Sequence, residues 1–356
     1  MPPTQIANGP VVDEDGVTFV LRDPTRRLGG VRLEQELGLS TGLDFIRRGD
    51  GWNLRLPRPP VDRMEYLFEI ADRKGRRATL TDPDNPLRVG GAFGDKSVVQ
   101  FPGYEEPDWL AMPGPPESTQ PIAVQTRARR TTMTGILWSP ETLAPDDPAP
   151  MLVVHDGPEY ATLASLTHYL GAMIAAGTVP PVRAALLGPG DRNSFYSANR
   201  GYAKALCREV IPVLDELAPT TLRIGVGASL GALALLHAHR SFPHTFSGLL
   251  LQSGSFFTAQ LDSQESGFSG FRPVTAFVTE VEQASTDDHP VPTAITCGTT
   301  EENLANNKQM AAELTRLGYP LDFHEVRDTH NYTAWRDALH PACTDLLTSV
   351  VAAHAA

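Results

Sequence analysis

Apolar and polar residues alternate with a period of two in the first third of the chain. The clearest runs are Gly16–Arg22, 52–56, 65–71 and 97–101, and clusters of Gly, Pro and Asp separate them. Such alternation is typical of strands that bury one face and expose the other. The pattern predicts a small all-β sandwich domain over residues 1–102.

A different composition follows over residues 103–121. Proline recurs there with Gly, Glu and Ser, and neither a helical nor a strand period is visible. This composition predicts a proline-rich linker. Trp109 lies within this segment and is expected to anchor it to a domain.

From residue 122 onward, short apolar runs alternate with stretches of helical period. Residues 122–139 resemble an antiparallel hairpin, and the apolar residues of 202–217 fall on one helical face. Continuous apolar runs suit strands that are covered on both faces. The pattern predicts an α/β domain over residues 122–356, with a doubly wound, mostly parallel sheet that binds ligands beyond the carboxyl ends of its strands. The expected strands are 151–155, 182–187, 222–226, 248–252, 293–297 and 321–326.

Composition narrows the classes of function. The 356 residues are 41% apolar and 20% charged, as in a globular protein of two domains. The net charge of −12 argues against nucleic acid or an anionic membrane as a partner. Neither a signal-peptide pattern nor a membrane-spanning apolar run is visible. The three cysteines are expected to be buried reduced thiols, which favours a cytoplasmic location, and no metal or cofactor is predicted.

The segment Gly-Ala-Ser-Leu-Gly at 227–231 lies between a strand-like run and a helix-like run. In that context G-x-S-x-G is the pattern of a nucleophile elbow. The tight turn imposes a strained backbone on the serine, and the glycines let neighbouring backbone pass closely. Ser229 is therefore the candidate nucleophile.

A serine hydroxyl needs a base, and the base needs an acid that orients it. In this architecture the chain order is serine, acid, histidine. His330 lies in a polar loop after the last predicted strand and is the candidate base. Glu301 and Glu302 follow the preceding strand, and spacing slightly favours Glu301 as the acid. Either glutamate could also be a simple helix N-terminal carboxylate, and Asp328 is a third candidate.

The oxyanion of an ester transition state needs two N–H donors. Leu230 directly follows the nucleophile and supplies one candidate. The second is expected from the loop after the first parallel strand, where Gly157 is the candidate because Pro158 has no N–H. The Asp-Gly pair in this loop could equally form a simple turn.

Four further residues are candidates for contacts with a substrate. Arg192 and Asn199 lie in the loop after one strand and could hold anionic or catechol oxygens, although the arginine could equally pair with a carboxylate. Ser255 follows the expected strand 248–252 and is expected to line the pocket. Trp335 could line the same pocket or be a core residue.

Taken together, these motifs resemble the enterochelin (ferric enterobactin) esterase family of α/β-hydrolases. In the N-terminal part the chain is similar to that family's early-set Ig-like module. The segments that carry the resemblance are DGW at 50–52, YLFE at 66–69, DPDNP at 82–86, PDW at 107–109, HDG at 155–157, GASLG at 227–231, QSGSF at 252–256, THN at 329–331 and AWR at 334–336.

The resemblance implies a cytoplasmic enzyme that hydrolyses catecholate siderophore esters and thereby releases iron. It also implies Ser229 as nucleophile, His330 as base and Glu301 as the nearest match to the family's acid. Two departures concern the site. An Asp-Thr pair precedes His330 where the family often has Gly-Gly, and Pro158 follows the Asp-Gly pair. Both departures bear more on which ester is the substrate than on the hydrolytic chemistry.

The sequence therefore predicts a serine esterase whose partner is a small-molecule ester, such as a ferric siderophore, and it carries no prediction of an oligomeric state. Two alternatives use the same machinery: an acyltransferase of the mycolyltransferase type, and an esterase that acts on acylated or feruloylated glycans. A third alternative is a non-catalytic glycan-binding protein in which Trp52 stacks on a sugar ring.

Overall fold

The computed structural model describes residues 9–355, which divide into two compact units. The first unit contains residues 9–105 together with two later loops, Gly298–Glu302 and Val326–Ala334. The second unit contains the rest of the described chain. The chain thus returns twice to its N-terminal unit. The predicted division, with the sandwich ending at residue 102 and the α/β domain beginning at residue 122, does not include these two returns.

Short strands with alternating burial build the first unit. They form two antiparallel sheets, one in the order β1-β2-β5-β4 and one in the order β3-β6-β9-β8 with β7 on β6. The strands are β1 (Val11–Asp13), β2 (Gly16–Arg22), β3 (Leu28–Gln35), β4 (Ile46–Arg48), β5 (Gly51–Pro57), β6 (Arg63–Asp72), β7 (Arg77–Leu80), β8 (Arg88–Val89) and β9 (Lys96–Gln100).

Apolar side chains of both sheets share one core in this unit. Phe19 and Leu54 from one sheet belong to the same buried cluster as Val31, Tyr66 and Phe68 from the other. Because the alternate positions of each strand face this core, the period-two pattern is the physical consequence of a sandwich. The predicted all-β N-terminal region is confirmed, while its Ig-like classification stays a prediction.

The second unit is organised around a mixed sheet of eight strands in the order β10-β11-β13-β12-β14-β15-β16-β17. The first two strands form the predicted antiparallel hairpin, and β12 to β16 pair in parallel where they are neighbours. The strands are β10 (Glu117–Thr126), β11 (Thr131–Pro140), β12 (Ala149–Val154), β13 (Arg183–Leu187), β14 (Thr220–Ala228), β15 (Gly248–Gln252), β16 (Thr293–Gly298) and β17 (Leu321–Val326).

Helices connect the parallel strands. Every residue of β13 and β15 is buried, as expected for strands that are covered on both faces. The predicted α/β fold is therefore confirmed. The helices are α1 (Gly157–Leu163), α2 (Leu166–Ala175), α3 (Arg192–Tyr196), α4 (Arg200–Ala205), α5 (Ile211–Leu217), α6 (Leu230–Ser241), α7 (Phe271–Gln283), α8 (Leu304–Arg316), α9 (Tyr332–Asp337) and α10 (Leu339–Ala355).

Two local expectations need correction. The single helix expected over 202–217 is interrupted by a π-helical turn, Leu206–Val210. Pro212 has no N–H and its ring crowds the carbonyl four residues earlier, so the widened turn accommodates it. The segment expected to be a linker contains a short 3-10 helix, and its last five residues belong to β10.

Trp109 in this segment is buried and packs edge-on against Tyr169, with 5.2 Å between ring centroids, so it anchors the segment as expected. Within residues 9–355, no helix combines the length and apolar character that crossing a bilayer requires.

Candidate active site

The turn between β14 and α6 gives Ser229 an unusual backbone. The strand ends at Ala228, the helix begins at Leu230, and Ser229 between them has φ 56° and ψ −127°. For a residue with a side chain, such a conformation costs about 1–3 kcal/mol and persists only where the surroundings enforce it. Here the Ser229 N–H donates to the carbonyl of Gln252 at 2.9 Å. The candidate nucleophile therefore lies on the strained strand-to-helix turn that the motif predicts.

The flanking glycines make the turn possible. A Cβ at Gly227 would lie 2.8 Å from the carbonyl carbon of Gly231, closer than real side chains approach backbone. A Cβ at Gly231 would lie 3.2 Å from His155 Cβ and 3.3 Å from Asp156 Oδ2. A side chain at position 227 would therefore force strand, turn or helix to move, and one at position 231 would require His155 and Asp156 to give way by a few tenths of an ångström.

Ser255 lies directly beside the candidate nucleophile. The two hydroxyl oxygens, Ser229 Oγ and Ser255 Oγ, are 3.1 Å apart, and the Ser255 N–H donates to the Ser229 carbonyl at 3.1 Å. Asn307 holds the Ser255 loop because its amide accepts from the Gly254 N–H and donates to the Gly254 carbonyl. Ser255 was expected to line the pocket, and its contact with a substrate stays a prediction. Asn307 was not predicted, because its position inside a helix carries no motif.

A buried polar network lies behind the turn. The Gln252 side chain accepts from the Tyr160 hydroxyl at 2.9 Å and donates to the Trp335 carbonyl at 3.0 Å. The Trp335 indole N–H donates to Ser253 Oγ at 3.0 Å, and the tryptophan is buried. These contacts give Trp335 a structural role; its predicted contact with a substrate stays a prediction.

Two helix N-termini supply the candidate oxyanion donors. Leu230 is the first residue of α6 and Gly157 is the first residue of α1. The N–H groups of a first helical turn have no acceptor within the helix and lie at its positive end, so they suit a developing negative charge. Gly157 is also sterically required, because a Cβ there would lie 2.3 Å from the carbonyl carbon of Leu186.

Arg192 holds the residue before Gly157. Asp156 has φ 50°, and its carboxylate accepts two hydrogen bonds from Arg192 Nε and one from Arg192 Nη2, at 2.8–3.0 Å. The carboxylate is buried while the arginine remains one-third exposed. Arg192 therefore pairs with a carboxylate, as one of its two interpretations expects, and its contact with a substrate stays a prediction.

Asn199 serves as the N-cap of α4. Its Oδ1 accepts from the Tyr202 N–H at 3.0 Å, and its Nδ2 donates to the Ser194 carbonyl at 3.0 Å. An asparagine at this position satisfies a helix N–H that otherwise has no partner. A contact between Asn199 and a substrate stays a prediction, since these local bonds already account for the residue.

His155 is a structural histidine under the turn. Its Nδ1 donates to the Gly231 carbonyl at 3.0 Å, so its Nε2 accepts from the Tyr202 hydroxyl at 2.9 Å. Burial is the main cause that lowers the pKa of His155 to about 4. The imidazole is therefore neutral at pH 7 and ties the end of β12 to the start of α6.

His330 and Glu301, both in the first unit, form a hydrogen bond. His330 Nδ1 lies 2.8 Å from Glu301 Oε2, while Glu301 Oε1 accepts from the Gly298 N–H at 2.8 Å. The carboxylate is buried, whereas Glu302 is exposed. Because a carboxylate only accepts, Nδ1 carries the proton in the neutral imidazole and Nε2 is left as the basic nitrogen. The structure thus pairs His330 with Glu301, the glutamate that spacing slightly favoured.

Asp328, the third candidate acid, has different partners. Its carboxylate accepts from Arg63 Nη1 at 2.9 Å and from Asn331 Nδ2 at 3.1 Å. Sequence reasoning missed Arg63. Its one visible signal is a charged pair, Arg63 and Glu65, on one face of a strand whose other face begins with the apolar residues Met64, Tyr66 and Phe68.

Trp52 is not placed to stack on a sugar ring. It is 9% exposed, and its indole N–H donates to Asp23 at 3.4 Å. The guanidinium of Arg47 lies over its ring at 5.4 Å from the centroid. Stacking of Trp52 on a sugar ring therefore no longer supports the alternative of a glycan-binding protein. Across the described part of the chain, no group of three or more His, Cys, Asp or Glu side chains is arranged to hold a metal ion.

A strained serine between a parallel strand and a helix of a mostly parallel sheet defines the α/β-hydrolase class. A family model described as "Putative esterase" matches residues 127–346. The chain belongs to this esterase family, whose members are carboxylic ester hydrolases, and the resemblance to enterochelin esterase-like enzymes is confirmed.

Named relatives agree with this assignment. The chain is 28% identical to an iron(III) enterobactin esterase of Dickeya dadantii, in a match that spans 74% of this chain and 65% of that protein. It is 21% identical to an iron(III) enterobactin esterase of Escherichia coli, over 85% of this chain and 71% of that protein.

Solved structures show the same fold. A ferric enterobactin esterase from Salmonella typhimurium superposes with a TM-score of 0.80 at 18% identity, over 98% of each chain. An enterobactin esterase from Shigella flexneri gives a TM-score of 0.78 at 19% identity, over 96% of this chain and 97% of that one. The likeness extends over both units of the chain.

Proposed function

We propose that this chain is a serine esterase in which Ser229 attacks the ester carbonyl carbon while His330 Nε2 takes the hydroxyl proton. The imidazolium then gives that proton to the leaving alkoxide as the ester C–O bond breaks, which leaves an acyl-serine. A water molecule, deprotonated by the same nitrogen, attacks the acyl-serine, and the carboxylic acid leaves as Ser229 regains its proton. Glu301 orients the imidazole, and the N–H groups of Leu230 and Gly157 bind the oxyanion.

The observation that carries this proposal is the backbone of Ser229, with φ 56° at the strand-to-helix turn. Strain of this size is retained where it serves a function, and here it separates the hydroxyl from the regular path of both strand and helix. The hydrogen bond between His330 and Glu301 gives further support, because it leaves Nε2 as the proton acceptor.

We further propose that the substrate is a catecholate siderophore ester, whose hydrolysis in the cytoplasm releases iron. Support comes from relatives that are named iron(III) enterobactin esterases and match most of this chain. The cysteines Cys207, Cys297 and Cys343 are buried, in accord with a reducing compartment.

The first experiment tests the chemistry with p-nitrophenyl acetate. Ser229→Ala should lower kcat/KM by at least about 10⁴-fold, because the serine and histidine of such a site act as a unit. Ser349→Ala, at an exposed serine of α10, is the matched control and should keep wild-type activity. Full hydrolysis by Ser229→Ala would refute the assignment of the nucleophile.

The second experiment tests the substrate class by mass spectrometry. Ferric and iron-free catecholate siderophore esters are compared with feruloyl and simple acyl esters, with a sugar acceptor present in each reaction. The proposal expects hydrolysis of the catecholate esters with the highest kcat/KM and no acyl-sugar product. Preferred turnover of feruloyl esters, or transfer to the sugar, would favour one of the alternatives instead.

A further inference from the structure

A buried arginine of the N-terminal sandwich binds the loop that carries His330. Arg63, the first residue of β6, is 2% exposed. Its guanidinium donates to Asp328 Oδ2 at 2.9 Å, to Asn331 Oδ1 at 3.0 Å and to Glu65 Oε1 at 2.8 Å. Two of these three acceptors therefore flank His330 in the chain.

The same two acceptors organise the loop itself. Asp328 Oδ1 accepts from the Thr329 N–H at 2.7 Å and from Asn331 Nδ2 at 3.1 Å. Asn331 Oδ1 also accepts from the Ala334 N–H at 2.8 Å, at the start of the following helix. The internal hydrogen bonds of the loop thus converge on the side chains that Arg63 binds.

A second contact pins the loop beside the start of β6. The Asp62 N–H donates to the Arg327 carbonyl at 2.8 Å, and Arg327 Nε donates to Asp62 Oδ1 at 2.9 Å. Asp62 therefore binds both the backbone and the side chain of Arg327, and Arg63 binds the side chains of Asp328 and Asn331. Together these contacts hold the segment that contains His330. A shift of this loop would break several of these contacts at once.

The chemistry of Arg63 suits a geometric role. Burial disfavours its charge, but the carboxylates of Asp328 and Glu65 raise its pKa above the ordinary value, so the guanidinium stays protonated. Buried ion pairs add little net stability compared with apolar packing, because desolvation offsets their attraction. A planar guanidinium with several donors does, however, fix its partners in direction as well as in distance.

We propose that Arg63 is a positioning residue for the esterase reaction, and that it sets the place of His330 by holding Asp328 and Asn331. This inference rests on the proposed function, in which His330 is the base. The N-terminal sandwich then contributes to catalysis through a residue of its own.

Steady-state kinetics of Arg63→Met on p-nitrophenyl acetate test this role. Misplacement of a catalytic group by about 1 Å can cost about 100-fold, so kcat should fall between about 10-fold and about 100-fold while KM changes less than about threefold. Arg63→Lys keeps the charge but not the fork of donors, and its kcat should be intermediate. Arg32→Met, at a partly exposed sandwich arginine that pairs with Asp44, is the matched control and should keep wild-type kcat.

A double-mutant cycle separates positioning from general damage. If Arg63 acts through His330, then Arg63→Met should have no further effect on the residual activity of His330→Ala. Thermal unfolding of each variant checks that the protein is folded at the assay temperature. If Arg63→Met does not fold, Arg63→Lys and Asp328→Asn take its place in the same cycle, with the same expectation.

Two results would overturn the inference alone: wild-type kcat in Arg63→Met, or an equal further loss in the His330→Ala background. Full activity of His330→Ala, by contrast, would overturn the proposed function together with the inference. The His330→Ala measurement therefore distinguishes the two failures.

Discussion

The turn around Ser229 and the loop around His330 are built in opposite ways. The turn is made from contiguous residues, and glycines at 227 and 231 allow the close backbone approach that strains the serine. The loop at residues 327–331 contains no glycine, and its close steric contact comes from elsewhere in the chain, because a Cβ at Gly298 would lie 2.5 Å from the Asp328 carbonyl oxygen. It is held by hydrogen bonds and ion pairs, above all from Arg63, which lies 265 residues away from Asp328 in the chain. Glycine sterics shape the turn of Ser229, the proposed nucleophile, whereas polar contacts from distant parts of the chain hold the loop of His330, the proposed base.

If polar contacts hold His330, then loss of a single polar partner should be enough to lower the activity. Glu301→Gln keeps the shape of the side chain but removes the negative charge that favours the Nδ1 proton, and it should lower kcat by about 10³-fold, or about 4 kcal/mol. Glu302→Gln is the matched control at an exposed neighbour and should change kcat less than about twofold. Steady-state kinetics on p-nitrophenyl acetate measure both. Equal effects of the two substitutions would remove Glu301 from the site.

The nucleophile side should fail through sterics instead. Gly227→Ala adds a methyl group 2.8 Å from the backbone of Gly231, so the strand, the turn or the helix must move. We expect the free energy of unfolding to fall by about 3 kcal/mol, with loss of activity in the protein that still folds. Gly267→Ala, where a Cβ meets no atom within 4 Å, should leave stability nearly unchanged. Denaturant unfolding compares them, and a stable, active Gly227→Ala would contradict the steric account.

The Asp156 ion pair tests whether the nucleophile side also depends on a polar contact. Arg192→Gln removes the partner that holds Asp156 at φ 50°, next to Gly157, the proposed oxyanion donor. We expect kcat to fall by about 30-fold, or about 2 kcal/mol, because the donor is less well placed. Arg223→Gln breaks another arginine–aspartate pair of the same unit, with Asp215, and should leave kcat nearly unchanged. A silent Arg192→Gln would show that sterics alone position this donor.

The smallest expected effect concerns pH and His155. Its folded-state pKa of about 4 lies below the ordinary histidine value of 6.5, so between these two pH values the unfolded chain binds a proton that the folded protein excludes. The stability that this neutral imidazole contributes is fully present above pH 6.5, falls as the pH drops, and levels off near pH 4. Each pH unit in that window removes about 1.4 kcal/mol.

His155→Asn isolates this contribution because asparagine retains an N–H donor toward the Gly231 carbonyl. Between pH 6.5 and pH 5.5, its free energy of unfolding should fall by about 1 kcal/mol less than that of the wild type. His354→Asn, at an exposed histidine, should follow the wild-type curve. Identical pH dependence in His155→Asn and wild type would show that the imidazole titrates normally.

The same contrast explains what the sequence could predict. The turn at Ser229, the parallel strands and the N-terminal sandwich follow from patterns of neighbouring residues, because apolar period and glycine spacing act over a few positions. The sequence left two roles open for Arg192, a contact with the substrate and a pair with a carboxylate, because its partner Asp156 lies in another loop. Arg63 and Asn307 were missed, since a buried polar residue inside a strand or helix gives no signal until its distant acceptors are known.

Covalent labelling with a fluorophosphonate tests the central claim most directly, because it needs no knowledge of the natural ester. The labelled protein is digested, and mass spectrometry locates the adduct in wild type and in His330→Ala. We predict a single adduct on Ser229, formed at least about 100-fold more slowly when the imidazole is absent. An adduct on a different residue, or an unchanged rate of labelling in His330→Ala, would contradict it.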